Sequence, residues 1–291
     1  MYVEVRAQKT YAATGGKEFD NSLPCVMFVH GSGLDHRSWA LQTRWFAYNG
    51  YSVLAPDLPG HSLSAGEPLE SIEEMGAWLA DFIRAANVSR VHAVGHSQGF
   101  LDVLELARQA PELLKSITGV GTAGAIPVNP ALIDAAKNSA GDAAEMLLMW
   151  GFGPDAQYGI SAVPGMQPIA IGRQIMARNP LYEDLVACAN YETGSAVAKS
   201  IEVPSQLILA RKDRLTPIKA GMAFAEEGGE SIRLYYQVRF SDDSTRNILC
   251  VAFTSDVLNW EKPDLGDGTN IVMRSSGISS DYGTFMPSRI L

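Results

Sequence analysis

Cysteine is nearly absent from this chain. Cys25, Cys188 and Cys250 are scattered through 291 residues without a CxxC spacing. That argues against a disulfide framework and a cysteine-based metal site, and makes a reducing cytoplasm the expected compartment. Basic charge is also short, with 23 Lys and Arg against 32 Asp and Glu for a net charge of −9. A surface without a cationic field has nothing to track a phosphate backbone, so nucleic acid is not an expected partner. No uncharged apolar run approaches the ~18 residues of a membrane span. Residues 1–16 mix Glu4, Arg6 and Lys9 among apolar positions and offer no signal-peptide core. Repeats and low-complexity segments are missing. Histidine is the most telling scarcity: His30, His36, His61, His92 and His96 are the full set, and none lies beyond position 96.

What remains is an ordinary globular composition, 46% hydrophobic and 19% charged, enough for one large domain or two small ones. Up to residue 124 short apolar runs alternate with amphipathic stretches, as in a mainly parallel α/β sheet. Cys25–Val29 reads as a buried strand leaving into His30-Gly31-Ser32-Gly33. A helix over 39–48 is closed by Asn49-Gly50, and a strand over 51–55 by Pro56-Asp57-Leu58-Pro59-Gly60. Ser71 and Glu74 form a capping box ahead of a helix running to Ala86. A strand over 90–94, a helix over 98–109 and a strand over 117–120 complete this part. Residues 125–200 turn helical, rich in Gly, Pro and Met, and then a strand over 206–210 and a helix over 218–227 resume the earlier pattern. The middle stretch therefore reads as a helical cap inserted into one sheet. Beyond Gly228-Gly229, residues 232–240 and 248–253 read as a hairpin around Ser241–Ser244.

Gly95-His96-Ser97-Gln98-Gly99 is the single GxSxG. It falls where a strand gives way to a helix, the sharp turn a nucleophile elbow requires; a structural serine in a tight turn is the alternative. Gly60-His61-Ser62 imitates it, but Ser64 stands in place of the second glycine and the segment reads as loop. Backbone N–H groups of the His30–Gly33 loop, with that of Gln98, are suited to an oxyanion hole, because acyl transfer puts negative charge on oxygen.

These segments resemble the α/β-hydrolase family over residues 1–228: the HGSG loop, Ala55–His61, the GHSQG elbow, and Ala210–Asp213 running into Thr216-Pro217. The resemblance implies a mainly parallel sheet with a helical cap, a core of residues 1–124 and 201–228 and a cap of 125–200. It also implies Ser97 as nucleophile, Ser32 and Gln98 as oxyanion N–H donors, and Asp213 as triad acid, with no metal and no organic cofactor. Ser rather than Asp at the elbow disfavours the branches that use a carboxylate nucleophile. Two departures stand out. Phe100 occupies a place the family keeps small. In addition, the triad order is Ser, acid, His, and no histidine follows His96. His30 is expected to fix the oxyanion loop and His96 to pack; His36, His61 and His92 read as loop or strand residues without HxH or HExxH spacing.

Residues 229–291 have another character. Leu234–Tyr236, Cys250–Asp256 and Leu258–Pro263 resemble a single blade of the β-propellers related to glycoside hydrolases. One blade does not make a propeller, so the expectation is a hydrolase cut before its last strand and joined near Glu227–Gly229 to a foreign β-rich tail, by gene fusion or as a sequence artefact. Residues 232–240 then either dock beside the strand at 206–210 or stand apart as a hairpin. The function expected is a serine hydrolase acting on a carboxylic ester or related carbonyl with a small apolar acyl group, impaired for want of the base. The alternatives are a non-catalytic small-ligand-binding pseudoenzyme and, third, carbohydrate binding through Trp260 and Tyr235.

Overall fold

The computed structural model describes residues 1–152, 167–210 and 213–227, with strands at 232–239, 247–254, 260–261 and 271–274. Eleven strands form one sheet: β1 Tyr2–Val5, β2 Gln8–Ala13, β3 Cys25–Val29, β4 Ser52–Pro56, β5 Val91–His96, β6 Leu114–Val120, β7 Ser205–Ile208, β8 Ile232–Arg239, β9 Asn247–Thr254, β10 Trp260–Glu261 and β11 Ile271–Arg274. Their order is β1-β2-β4-β3-β5-β6-β7-β8-β9-β10, with β11 also on β9. Strands β3 to β8 run parallel. The two ends of the sheet are antiparallel. The architecture is the expected α/β-hydrolase fold.

Buried on both faces, β3 reads as an unbroken apolar run and β4 as one after its first residue, Ser52, as parallel sheets require. Helices α1 Ala40–Tyr48, α2 Ile72–Ala85 and α3 Gln98–Gln109 flank the sheet. The Ser71 hydroxyl accepts from the Glu74 N–H at 3.2 Å and starts α2. On α2, Trp78 and Phe82 stack with 5.6 Å between centroids and sit with Leu79 and Ile83 in the main core. Phe100 finds its room opposite a glycine. It meets Phe224 edge-on at 5.7 Å, and a Cβ on Gly119 would stand 3.0 Å from its ring. The small residue has thus moved from the helix to the facing strand.

Between β6 and β7 lie helices α4 Pro130–Asn138, α5 Ala140–Gly151, α6 Pro168–Met176, α7 Leu181–Asn190 and α8 Gly194–Ala198. Leu132, Leu148, Met176, Leu181 and Leu185 form a second apolar cluster among them, which is the expected helical insertion. Helix α9 Ile218–Glu227 then leads to β8. Of the two outcomes for this segment, docking is the one found: Ser205 pairs with Ile232 and Ile208 with Tyr235, in parallel register. A bare β7 would present a row of unpaired backbone groups, and the strand-forming run IRLYYQVR satisfies them. One row crosses the sheet through His96, Val120, Ile208 and Tyr235. Beyond that row β8 continues through Tyr236–Arg239, paired with β9.

The expected turn at Ser241–Ser244, Arg211 and Lys212, and the side chains of Tyr235 and Trp260 lie outside the described residues. No helix among those described is long and apolar enough to cross a membrane.

Candidate active site

Ser97 joins β5 to α3 with φ 54° and ψ −121°, a left-handed conformation that costs a non-glycine residue about 1–3 kcal/mol. Its surroundings hold it there. The Ser97 N–H donates to the Val120 carbonyl, and the Ser97 carbonyl accepts from Phe100 N–H and from the Thr122 hydroxyl, all at 3.0 Å. The two flanking glycines are needed for the approach of helix to strand. A Cβ on Gly95 would lie 2.3 Å from the Gly99 carbonyl oxygen, and one on Gly99 would lie 2.3 Å from that of His30. Such distances are closer than any side chain tolerates.

The loop after β3 closes on this turn. A Cβ on Gly31 would meet the Ser97 Cβ at 3.2 Å and His96 Nδ1 at 3.0 Å. Leu34 N–H donates to the Gly31 carbonyl at 3.0 Å, and Gly33 has φ +65°, the pattern of a type II turn with Ser32 and Gly33 at its centre. The Ser32 hydroxyl donates to Gln98 Oε1 at 2.6 Å, and Gln98 Nε2 reaches Met75 Sδ at 3.0 Å. Ser32, Ser97 and Gln98 are thereby brought together.

Asp213 follows β7. Its Oδ1 accepts from the N–H groups of Leu215 and Thr216 at 2.8 and 3.0 Å. A methyl on Gly121 would stand 3.5 Å from Asp213 Oδ2 and 3.8 Å from His96 Nε2, so Asp213 and His96 converge on one backbone position beside the elbow. Burial lowers the His96 pKa, with the Asp213 charge opposing, and the ring lies edge-on to Trp39 at 6.4 Å. That is the packing role expected of it.

His30 behaves as expected too. Its Nδ1–H donates to the Gly31 carbonyl at 3.1 Å and its Nε2 accepts from Leu58 N–H at 3.2 Å, which defines a neutral ring. Burial, then the charge of His61, hold its pKa down at about 4.

Three buried groups escaped sequence reasoning. His61, read as loop, is 1% exposed and donates from Nε2 to Asp184 Oδ2 at 3.0 Å and from Nδ1 to the Pro59 carbonyl at 3.0 Å. Asp184 lies on α7, 123 residues away, and its Oδ2 also accepts from Gly33 N–H at 2.6 Å. Asp102, one turn along α3 from Gln98, is fully buried with neither oxygen hydrogen-bonded to protein. Burial, then the neighbouring Asp184 charge, push its pKa well above the carboxylate range. The thiols of Cys25 and Cys188 are raised by burial and are poor nucleophiles.

Among the described residues, Asp35, His36 and Asp57 bring ligand-type atoms within 4.8 Å of one another. Each has another task. Asp35 accepts from the Arg37 guanidinium and from Asn179, and His36 donates to Asp57 at 2.8 Å. Hydrogen bonds from Arg37 outweigh burial and hold the Asp35 pKa at about 2. The trio reads as a charge-paired brace for the turn at 36–39.

Comparison with known proteins bears on the fold and the family. A dihydrolipoyllysine-residue acetyltransferase component of an acetoin cleaving system from Cupriavidus necator is 32% identical over 39% of this chain and 29% of its own length. The chain spans under a third of several curated relatives that it matches. A pimeloyl-[acyl-carrier protein] methyl ester esterase from Methylococcus capsulatus is 29% identical over 69% of this chain and 81% of its own. The crystal structure of an enol-lactonase from Burkholderia xenovorans superposes with TM-score 0.71 at 19% identity, covering 81% of this chain and 90% of that one. None of these likenesses lends support to a propeller blade in the tail. The model of the alpha/beta hydrolase family matches residues 26–237, reaching into β8. The chain belongs to the alpha/beta hydrolase family.

Proposed function

We propose that this hydrolase acts on a carboxylic ester or related carbonyl through Ser97, and that the 291 residues carry it out slowly because no histidine follows the elbow. One observation carries the reading: a serine in a strained left-handed turn at the start of α3, with the HGSG loop closed against it. Ser97 Oγ attacks the carbonyl carbon, and the backbone N–H groups of Ser32 and Gln98 hold the oxygen that takes the electron pair. The C–O bond to the alcohol then breaks, and water later releases the acid. Asp213 is the acid that orients a base in this family. Of the histidines present, His30 and His61 have both ring nitrogens engaged elsewhere. On this reading the Ser97 proton leaves to solvent or to an added base, and loss of a triad member costs orders of magnitude in rate.

The esterase and lactonase names among the relatives favour an ester substrate, and the Met-rich cap suits a small apolar acyl group. A cytoplasmic setting, without metal or organic cofactor, belongs to the same reading. So does the division into core, cap and a tail of residues 229–291.

Hydrolysis of p-nitrophenyl acetate by the purified chain tests it. The expected rate is low, rises with pH without a histidine plateau, increases with added imidazole, and vanishes in Ser97→Ala. A rate unchanged by Ser97→Ala would overturn the reading. The missing histidine also favours a second one, a pseudoenzyme that holds a small apolar ligand under the cap. Thermal stabilisation by such a ligand, without fluorophosphonate labelling of Ser97, would select it.

A further inference from the structure

Gly33 N–H belongs to the central peptide of the turn that carries Ser32. In a type II turn this peptide is flipped relative to type I, and the two forms share the same closing hydrogen bond. What distinguishes them here is the acceptor waiting for Gly33 N–H, which is Asp184 Oδ2 at 2.6 Å. The acceptor comes from the cap: α7 lies directly on the turn, and a Cβ on Gly33 would strike the Leu181 side chain at 2.8 Å.

The carboxylate is kept charged by His61. Both ring nitrogens of His61 face acceptors, the Pro59 carbonyl and Asp184, an arrangement that suits a doubly protonated ring. Burial opposes that charge, and the Asp184 charge and hydrogen bond, with Pro59 and Asp57, overcome it. Asp184 is likewise penalised by burial and rescued by His61, Gly33 N–H and His30. Asp102, a neighbouring buried carboxyl, is driven toward its neutral form and leaves the negative charge on Asp184. Neither partner belongs to the nucleophile, the acid or the oxyanion donors, yet both are fully buried beside them.

We propose that Asp184, paired with His61, is the positioning residue of the oxyanion loop: by holding Gly33 N–H it fixes the turn that presents the Ser32 N–H of the adjoining Gly31–Ser32 peptide, so that the seated cap helix α7 and the competent turn are one structural state. The proposal rests on the acyl-transfer reading of Ser97. It assigns Asp184 no contact with substrate: the residue acts through Gly33 and Ser32.

The test is the rate of fluorophosphonate labelling at Ser97, with Ser97→Ala as blank and nitrogen NMR of His61 alongside. Asp184→Leu removes the acceptor at similar volume and is expected to slow labelling at least about tenfold, by analogy with loss of an oxyanion donor. Asp184→Asn can place its amide oxygen where Oδ2 stands, accepting from both Gly33 N–H and His61 Nε2–H, and is expected to restore the rate to within about threefold. A buried ion pair replaced whole by apolar residues often folds as well as the parent. His61→Leu/Asp184→Leu therefore serves where Asp184→Leu alone fails to fold, and it too should label slowly. Wild-type labelling rates in Asp184→Leu or in the double variant, an Asp184→Asn rate as low as that of Asp184→Leu, or a singly protonated His61 at neutral pH in the wild type would each overturn the proposal. A wild-type chain that is not labelled overturns instead the acyl-transfer reading beneath it.

Discussion

The Thr216 hydroxyl donates to Asp213 Oδ2 at 2.7 Å, while two amides of the same loop hold Oδ1. The acid is thus fixed by three donors of its own loop. Thr216→Val removes the hydroxyl donor while keeping the shape. Net loss of a hydrogen bond to a charged group is about 1.5–3 kcal/mol, so the melting temperature should fall by several degrees. Labelling of Ser97 should stay within about twofold, because on the proposed reading the Ser97 proton leaves to solvent and not to a base that Asp213 orients. Calorimetry and a labelling time course on one preparation check both halves.

Strain at the elbow has a stability signature of its own. Glycine adopts φ 54°, ψ −121° freely, whereas serine is penalised by about 1–3 kcal/mol. Ser97→Gly should therefore unfold at a higher temperature than the wild type, and Ser97→Ala, which keeps the Cβ, should not. Both abolish labelling. Equal melting temperatures for the two variants would mean that the turn is not strained.

Asp102 is predicted to make the protein less stable as pH rises. Its folded-state pKa lies above its unfolded value, so the native state retains a proton that the unfolded chain releases. The stabilising contribution is complete below the unfolded pKa, near 3.9, and is lost as pH climbs toward the folded pKa. Asp102→Asn keeps the shape and has no proton to lose. Its melting temperature should match the wild type near pH 3.5 and exceed it by a growing margin through pH 5 to 8. A difference independent of pH would indicate that Asp102 is ionised in the folded protein.

Much of this architecture can be read in local sequence because the relevant physics is local. The bounds of α3 and α9 follow from glycine, proline and the apolar spacing, and Ser71 with Glu74 announces α2. The elbow, the HGSG loop and Asp213 sit at strand ends, where turn chemistry is visible. The hairpin of β1 and β2 escapes notice because its strands are short and partly polar, with Glu4 paired to Lys9, and few of its side chains reach the core. The His61–Asp184 pair is illegible for a different reason. The two residues are 123 positions apart, and each in isolation resembles a surface residue. Asp102 looks like any helix carboxylate until the fold buries it.

The row through His96, Val120, Ile208 and Tyr235 also locates a repair. The chain passes the level of the elbow at Tyr235, then travels four further residues, Tyr236 to Arg239, about 13 Å at strand rise, before β9 brings it back. A returning loop that carries a base has to leave the sheet near that row, so the long hairpin spends the available chain in the wrong direction. Grafting a short histidine-bearing loop directly after Tyr235 asks nothing of the nucleophile, the acid or the oxyanion turn, all of which stand on strands laid down earlier in the chain.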